Sequence, residues 1–291
     1  MNKKSIVAAS ALLLVLTGCK DAHIAIKDAD TPIVTVGNKT ITKGEVFNIM
    51  MATYGASNAV STSNNKIAAA EIEITDEMKK SAQDTINTYK SLYGDVFTEY
   101  LESSGMTEED YMNEYLIPSL QSEKLITKYL EENYDSVCEM YTPVKAMILE
   151  FSSNEDAQSA LSALKDGSKT PAEVIEEYNG LSTADEKIIT NDSTSVDSMI
   201  KTVIFSATPA DGWTYVPSSD GTTFDVVKVV ENDPDNMKEE VLESLAAISN
   251  VQNDSTTYFF KKYGFHIYDK TLYDSVSMNY PDNLVQDLPK E

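Results

Sequence analysis

Residues 144–167 read VKAMILEFSSNEDAQSALSALKDG, and they carry the clearest indication of the fold. The apolar run Val144–Phe151 has the length and composition of a strand. Residues 154–165 predict a helix, which Gly167 closes. The stretch therefore predicts a strand that leads directly into a helix.

The segments that follow complete a small α+β domain. Thr170-Pro171-Ala172-Glu173 places an N-cap, a proline at the first helical position and a glutamate at the third, which predicts a helix to Tyr178. The remaining predicted elements are a short strand over 187–190, a short helix over 196–205, and strands over 213–216 and 224–230. The order β-α-α-β-α-β-β describes a compact domain of about 90 residues.

Before this domain the chain begins with a predicted hairpin over 32–41. Thr42 and Glu45 then form a capping box that opens a helix to about Tyr54. Residues 55–70 are rich in Ser, Asn and Ala, and predict a flexible insertion.

Two longer helices are predicted between this insertion and the α+β domain. One starts at Thr75 and ends at Ser104-Gly105, and the other runs from Thr107 to about Glu132, where Pro118 should kink or divide it. The first carries an apolar stripe made by Met78, Ala82, Ile86, Tyr89, Tyr93, Phe97 and Leu101. Because a helix cannot bury such a stripe alone, we expect these helices to pack together.

After the α+β domain the chain is predicted to be helical again. The helix begins at Asn236 and continues to about Tyr263, and residues 264–268 predict a last strand. The polar tail beyond Asn279 is expected to be loose.

The N-terminus has the features of a lipoprotein signal. A positive start, Asn2-Lys3-Lys4, precedes the apolar residues 5–16, a run of about a dozen that is too short to span a bilayer, which needs roughly 20. Leu16-Thr17-Gly18-Cys19 resembles the bacterial lipobox, in which the cysteine becomes the lipidated N-terminus. We expect a mature chain that starts at Cys19, with residues 20–31 as a polar tether. The alternative is a plain secretory signal with an incidental cysteine.

Composition narrows the function classes. The net charge of −24, from 47 acidic and 23 basic residues, repels nucleic acid and anionic lipid headgroups. Cys138 is the only cysteine that remains once Cys19 is lipidated, so we expect neither an internal disulfide nor a cysteine-rich metal site. The only histidines are His23 and His266, and the chain has neither a Gly-rich phosphate loop nor a G-x-S-x-G elbow. We expect no cofactor and no metal.

A series of stretches, in this order, resembles the PrsA/SurA-type extracytoplasmic foldases, a family with parvulin-like peptidyl-prolyl isomerase domains. The stretches are VTVGNKTITKGEV (34–46), ITDEMKKSAQDTI (74–86), LESSGMTEEDY (101–111), SEKLITKYLEENY (122–134), the stretch 144–167, TFDVVKVVE (223–231), NMKEEV (236–241) and FHIYDKTLY (265–273). Their order behind a lipobox is more specific than any one of them.

The resemblance implies an α+β protein with a mainly helical, SurA-like chaperone domain. Both chain ends would build that domain, and a small parvulin-like domain would be inserted between them. The implied division is 1–18 signal peptide, 19–31 tether, 32–141 N-terminal part of the chaperone domain, 142–233 parvulin-like domain, 234–278 C-terminal helix and strand, and 279–291 loose tail.

The isomerase part departs from its family where the chemistry would lie. Active parvulins have two histidines, at positions that the resemblance assigns to Met147 and Asp225. Val196, Ile200 and Phe205 stand where the family lines its proline pocket, so the apolar character is kept. Isomerisation must lower a barrier of about 20 kcal/mol, and oriented polar groups supply the differential stabilisation. We therefore expect a weak or inactive isomerase; for Met147 and the three apolar positions, ordinary core residues are the alternative.

Chaperone function requires an adaptable apolar surface instead of a catalytic set. Tyrosine and methionine suit contacts without fixed geometry. The residues predicted to line a peptide-binding cleft are Tyr89, Tyr93, Phe97, Met112, Tyr115 and Tyr129. The alternative for each of them is a place in the core.

Together, these observations predict a lipid-anchored chaperone on the outer face of a Gram-positive-type cell membrane. Its partners would be unfolded or partly folded exported polypeptides, and the membrane through the lipid on Cys19. Nucleic acid is excluded as a partner, and a homodimer stays open. The alternatives are an active peptidyl-prolyl isomerase, a solute-binding lipoprotein, and an adhesin or envelope-assembly lipoprotein.

Overall fold

The computed structural model describes residues 25–287. The predicted signal peptide and the lipidated Cys19 lie outside the described residues. The fold is mixed α+β and mainly helical, which confirms the predicted fold class. Within the described part, none of the helices combines the length and the apolarity that crossing a bilayer requires.

The helices and strands are numbered in chain order. The helices are α1 Lys43–Glu71, α2 Asp76–Tyr93, α3 Asp95–Ser103, α4 Glu108–Tyr111, α5 Ile117–Glu132, α6 Tyr134–Tyr141, α7 Asn154–Lys165, α8 Pro171–Glu177, α9 Ser198–Ser206, α10 Lys238–Ala246, α11 Ser249–Tyr263 and α12 Lys270–Asn279. The strands are β1 Pro32–Val36, β2 Lys39–Thr42, β3 Val144–Phe151, β4 Glu186–Ile189, β5 Thr214–Pro217 and β6 Phe224–Glu231. A π-helical segment, Met112–Leu116, joins α4 to α5.

The chain forms two compact units. In its described part, the first unit comprises residues 25–64 and 259–287, and the second comprises residues 65–258. The division into a chaperone domain and an inserted parvulin-like domain stays a prediction.

In the first unit the predicted hairpin and capping box are confirmed. β1 pairs antiparallel with β2, the backbone N–H of Glu45 donates to Thr42 Oγ1 at 3.2 Å, and Thr42 N–H donates to Glu45 Oε2 at 2.7 Å. α1 then continues to Glu71, so the predicted helix end near Tyr54 and the flexible insertion over 55–70 were wrong. The segment has helix-forming alanines and buries Ala56 and Val60 one turn apart, which keeps it helical.

The predicted strand over 264–268 is also wrong. These residues are irregular, and the side-chain amide of Gln286 bonds both the N–H and the carbonyl of Ile267, where a neighbouring strand would have bonded them. The helix α12, Lys270–Asn279, was not predicted. The tail up to residue 287 is not loose, because Asn283 is buried and Gln286 is tied to Ile267.

In the second unit the predicted first long helix divides into α2 and α3 at Gly94. Gly94 has a φ of 53° and a ψ of −129°, a backbone conformation that glycine adopts at little energetic cost. Thr75 caps α2 as predicted, since its hydroxyl accepts from Met78 N–H at 3.1 Å. The second long helix is interrupted just before Pro118: the N–H of Ile117 donates to Met112 carbonyl, which creates the π-helical segment.

The β-α-α-β-α-β-β order over residues 144–231 is confirmed. The strands form a four-stranded sheet in the order β4-β3-β6-β5, with every neighbouring pair antiparallel. The helices α7 and α8 cover one face of the sheet, and α9 covers the other. This arrangement differs from the doubly wound α/β lobes that the solute-binding alternative would need.

Candidate functional site

Aromatic side chains of the second unit form a continuous row. The row consists of Tyr89, Tyr93, Phe97, Tyr100, Tyr111 and Tyr115. Phe97 lies at its centre, with ring centroids 5.7 Å from Tyr89 and 5.6 Å from Tyr111. Tyr111 stacks on Tyr115 at 5.3 Å, with 22° between the ring planes. Such offset and edge contacts hold the rings in place.

The row has a buried base and an exposed rim. Phe97 is buried with Ile86 and Leu101, whereas Tyr93 is 57% exposed and Tyr115 is 51% exposed. Leu92, three residues after Tyr89 in α2, and Val96, four residues before Tyr100 in α3, are 69% and 68% exposed, and this helical spacing puts each on the same side of its helix as a tyrosine of the row. We call the following set the tyrosine surface: Tyr89, Leu92, Tyr93, Val96, Tyr100, Tyr111 and Tyr115.

Two backbone features shape the tyrosine surface. Gly94 ends α2 directly after Tyr93 and starts α3 in a new direction, so that exposed residues of both helices join one aromatic row. The π-helical segment Met112–Leu116 carries Tyr115 against Tyr111. Single π-turns inside helices are frequent at functional sites.

The structure brings most of the predicted peptide-binding residues together. Tyr89, Tyr93, Phe97 and Tyr115 belong to the aromatic row, and Met112 packs on the core beneath it. The sixth, Tyr129, is buried and lies elsewhere, with its ring 5.4 Å from Tyr258. Tyr129 therefore has a core position.

The prediction missed Tyr100 and Tyr111. They lie three residues after Phe97 and one before Met112, so their closeness in sequence was the available signal. The prediction of one unbroken helix did not place Tyr100 with the other tyrosines, because the turn at Gly94 changes which side chains lie on the same face.

A second candidate site lies on the α9 face of the sheet. In the register of β3 with β6, Glu150 pairs with Asp225 and Ile148 pairs with Val227. Ile148 and Val227 pack in the same cluster as the α9 residue Ile200. This face therefore combines an apolar centre with two carboxyl groups near one end.

Asp225 is a buried acid with an unused oxygen. Its side chain is 1% exposed, and its Oδ2 has no hydrogen-bond partner among the described residues. Burial is the largest cause that raises the pKa of Asp225 to about 7, and the negative charges of Glu150 and Asp197 add to it. A hydrogen bond with Thr223 lowers the pKa and offsets part of this rise. Asp197 remains ionised, because hydrogen bonds from the Ser219 hydroxyl and then from Met199 N–H lower its pKa.

A cavity of about 350 Å³ opens on the α9 face. Its lining includes Ile148, Glu150, Ser182, Asp185, Ser193 and Val196. The hydroxyl of Ser182 accepts from Glu150 N–H at 3.0 Å and donates to Ile148 carbonyl at 3.2 Å, which holds this loop against β3. The cavity offers an apolar floor with carboxyl and hydroxyl groups at its edge.

The predicted pocket residues are split between the two faces. Ile200, Val196 and Phe205 pack on the α9 face, where Asp225 also lies. Met147 packs on the opposite face with the α7 and α8 cluster, and its pairing partner is Lys228. The two positions to which the resemblance assigns histidines therefore do not face the same space.

Other candidate groups remain outside these sites. Burial is the largest cause that raises the pKa of the Cys138 thiol, which makes it a poor nucleophile at neutral pH. His266 is exposed and has the ring of Tyr268 at 4.6 Å. Among residues 25–287, no group of three or more His, Cys, Asp or Glu side chains is arranged to hold a metal ion.

Comparison with known proteins finds several relatives that carry the name foldase protein PrsA. The chain is 25% identical over 297 residues to the foldase protein PrsA of Latilactobacillus sakei, covering 95% of each chain. It is 24% identical to the foldase protein PrsA of Streptococcus mutans, covering 95% of this chain and 88% of the relative. A crystal structure of peptidylprolyl isomerase (PrsA) from Bacillus cereus aligns with a TM-score of 0.48 and 17% identity, over 87% of this chain and 99% of that chain. No family model matches the chain.

Proposed function

We propose that this chain, a relative of the PrsA-type foldases along most of its length, is an extracytoplasmic foldase that binds exported polypeptides before they have folded. The relatives carry the name foldase, and the observation that carries the proposal for this chain is the tyrosine surface. Tyr89 and Tyr111 pack on the core of Ile86, Phe97 and Leu101, whereas the five exposed members of the surface do not belong to that cluster; they are Leu92, Tyr93, Val96, Tyr100 and Tyr115.

The chemistry of the tyrosine surface suits an unfolded client. Unfolded chains present apolar side chains in no fixed arrangement, so a receptor needs contact area that tolerates many geometries. Tyrosine supplies a large contact at low conformational cost, with a hydroxyl that can accept or donate. Exposed apolar side chains that cluster on a protein surface are a general mark of interaction sites. The net charge of −24 keeps such a chain in solution while it holds a sticky partner.

A light-scattering assay tests the binding. A secretory protein is diluted from denaturant with and without an equimolar amount of the purified chain, and we expect suppressed scattering. The double variant Tyr93→Ala with Tyr115→Ala should lose most of the suppression. The matched control is Tyr268→Ala, an exposed tyrosine outside the surface. Absence of suppression by the unaltered chain, or full suppression by the double variant, would refute the proposal.

The proposal includes a weak or inactive isomerase domain. It is supported by the positions of Met147 and Asp225 on opposite faces of the sheet, since a twisted amide would need both groups on one side. A proline-limited refolding assay tests it, and we expect no acceleration. Acceleration that disappears in Asp225→Asn would establish the alternative, an active peptidyl-prolyl isomerase.

The proposal also includes the lipid on Cys19 and the division into a chaperone domain and an inserted parvulin-like domain. Mass spectrometry of the chain extracted from membranes of a lipoprotein-processing bacterium would detect a lipidated Cys19 at the N-terminus. An unmodified Cys19 would contradict lipidation and support the alternative, a plain secretory signal.

Sedimentation of the purified chain would decide between a monomer and a homodimer.

A further inference from the structure

The tyrosine surface lies in an acidic part of the chain. Residues 84–116 contain eight Asp and Glu side chains and a single lysine, Lys90. That lysine is paired with Glu108 at 2.7 Å, so it does not offset the remaining charge. The chain segment that supplies the aromatic row therefore carries a concentrated negative charge.

Two of these carboxylates lie within one helical turn of residues of the tyrosine surface. Glu99 comes three residues after Val96 in α3, and Glu114 comes three residues after Tyr111, a spacing at which helical side chains are neighbours. Both glutamates are exposed, and neither has an ion-pair partner among the described residues. Asp110 is different, because it caps α4 through the N–H and hydroxyl of Thr107.

A tyrosine face and a nearby carboxylate attract the same chemical group. The negative face of an aromatic ring binds the ammonium of lysine or the guanidinium of arginine, and the carboxylate adds a direct charge interaction. An acidic segment would meet repulsion from the same groups. Apolar side chains beside the cation would cover the exposed Leu92 and Val96.

We infer that the tyrosine surface selects extended polypeptide segments in which lysine or arginine alternates with apolar side chains, and that it disfavours acidic segments. The inference rests on the proposed function, because it names the class of client that this surface prefers. It assigns a role in selection to Glu99 and Glu114, and a role in general contact to Tyr93 and Tyr100.

Three labelled peptides test the inference by fluorescence anisotropy with the full chain. They share one apolar scaffold of about 15 residues and carry lysine, glutamine or glutamate at the same positions. We expect the lysine peptide to bind about tenfold more tightly than the glutamine peptide at low salt, and the glutamate peptide to bind most weakly. The preference should shrink between about 50 mM and about 500 mM salt, because exposed charges are screened.

Two double variants separate charge from contact. Glu99→Gln with Glu114→Gln should reduce the preference for lysine over glutamine and leave the affinity for the glutamine peptide unchanged. The control, Glu155→Gln with Glu176→Gln, removes two exposed carboxylates from α7 and α8 and should keep the preference. Far-UV circular dichroism and thermal melting should show that both variants are folded.

The outcomes distinguish the two proposals. Equal affinity for the lysine and glutamine peptides, or a lysine preference that Glu99→Gln with Glu114→Gln does not reduce, overturns the inference and leaves the proposed function in place. No binding of any of the peptides overturns both. Binding of free polylysine but not of the mixed apolar peptide also overturns the inference, since it would indicate a surface that responds to charge alone.

Discussion

Replacing Asp225 with asparagine should stabilise the chain at alkaline pH. The carboxyl is buried next to Glu150, and its pKa is raised from 3.8 to about 7. In the unfolded chain the pKa returns to its ordinary value, so between pH 3.8 and about 7 the folded state binds the proton more tightly. The stability that this group contributes is therefore complete below the unfolded pKa and is lost as the pH rises through the folded pKa.

The magnitude follows from the difference between the two pKa values. About three pH units at about 1.4 kcal/mol each correspond to about 4 kcal/mol in the free energy of unfolding. Asparagine has a similar shape and does not ionise, so Asp225→Asn avoids this loss. The stability difference between the variant and the unaltered chain should grow by about that amount from pH 4 to pH 8, apart from an offset that does not depend on pH.

Urea unfolding at a series of pH values measures this difference. Titrating groups that do not interact with Asp225 contribute equally to both proteins and cancel. The matched control is Asp220→Asn in the connection between β5 and β6, where hydrogen bonds from Thr222 lower the pKa of an exposed aspartate. Its difference from the unaltered chain should stay constant above about pH 5. A constant difference for Asp225→Asn as well would refute the reasoning, because it would mean that the buried carboxylate ionises at its ordinary pKa.

Three further outcomes are expected. Glu150→Gln removes a negative charge next to Asp225, so the pH range over which stability falls should move to lower values in the same urea experiment. Thr75→Ala removes the N-cap of α2 and should lower the free energy of unfolding by about 1 kcal/mol, and an unchanged urea midpoint would contradict the cap. Leu149→Ala, at a fully buried position in β3, should cost about 2–5 kcal/mol, whereas Leu92→Ala, at a 69% exposed position, should stay within about 0.5 kcal/mol. Equal effects of these two leucine substitutions would contradict the placement of the core.

Local sequence signals determined much of this protein. The caps at Thr42, Thr75 and Thr170, and the element order over 144–231, depend on residues only a few positions apart. A hydroxyl that bonds an N–H three residues later needs nothing from the rest of the chain. For the same reason the mixed α+β class, and the helical stripe that contains Tyr89, Tyr93 and Phe97, were predictable from spacing.

Which side chains meet in each candidate site depends on tertiary contacts that the sequence pattern does not contain. Side chains alternate between the faces of a sheet, so the register of β3 with β6 places Asp225 with Glu150 and leaves Met147 on the other side. The sequence of neither strand, taken alone, predicts which residues of β3 and β6 pair. The turn at Gly94 and the π-helical segment likewise brought Tyr100 and Tyr111 into one row, and burial raised the pKa of an aspartate that looks ordinary in the sequence. These properties depend on which distant residues meet, and packing of the whole unit sets those contacts.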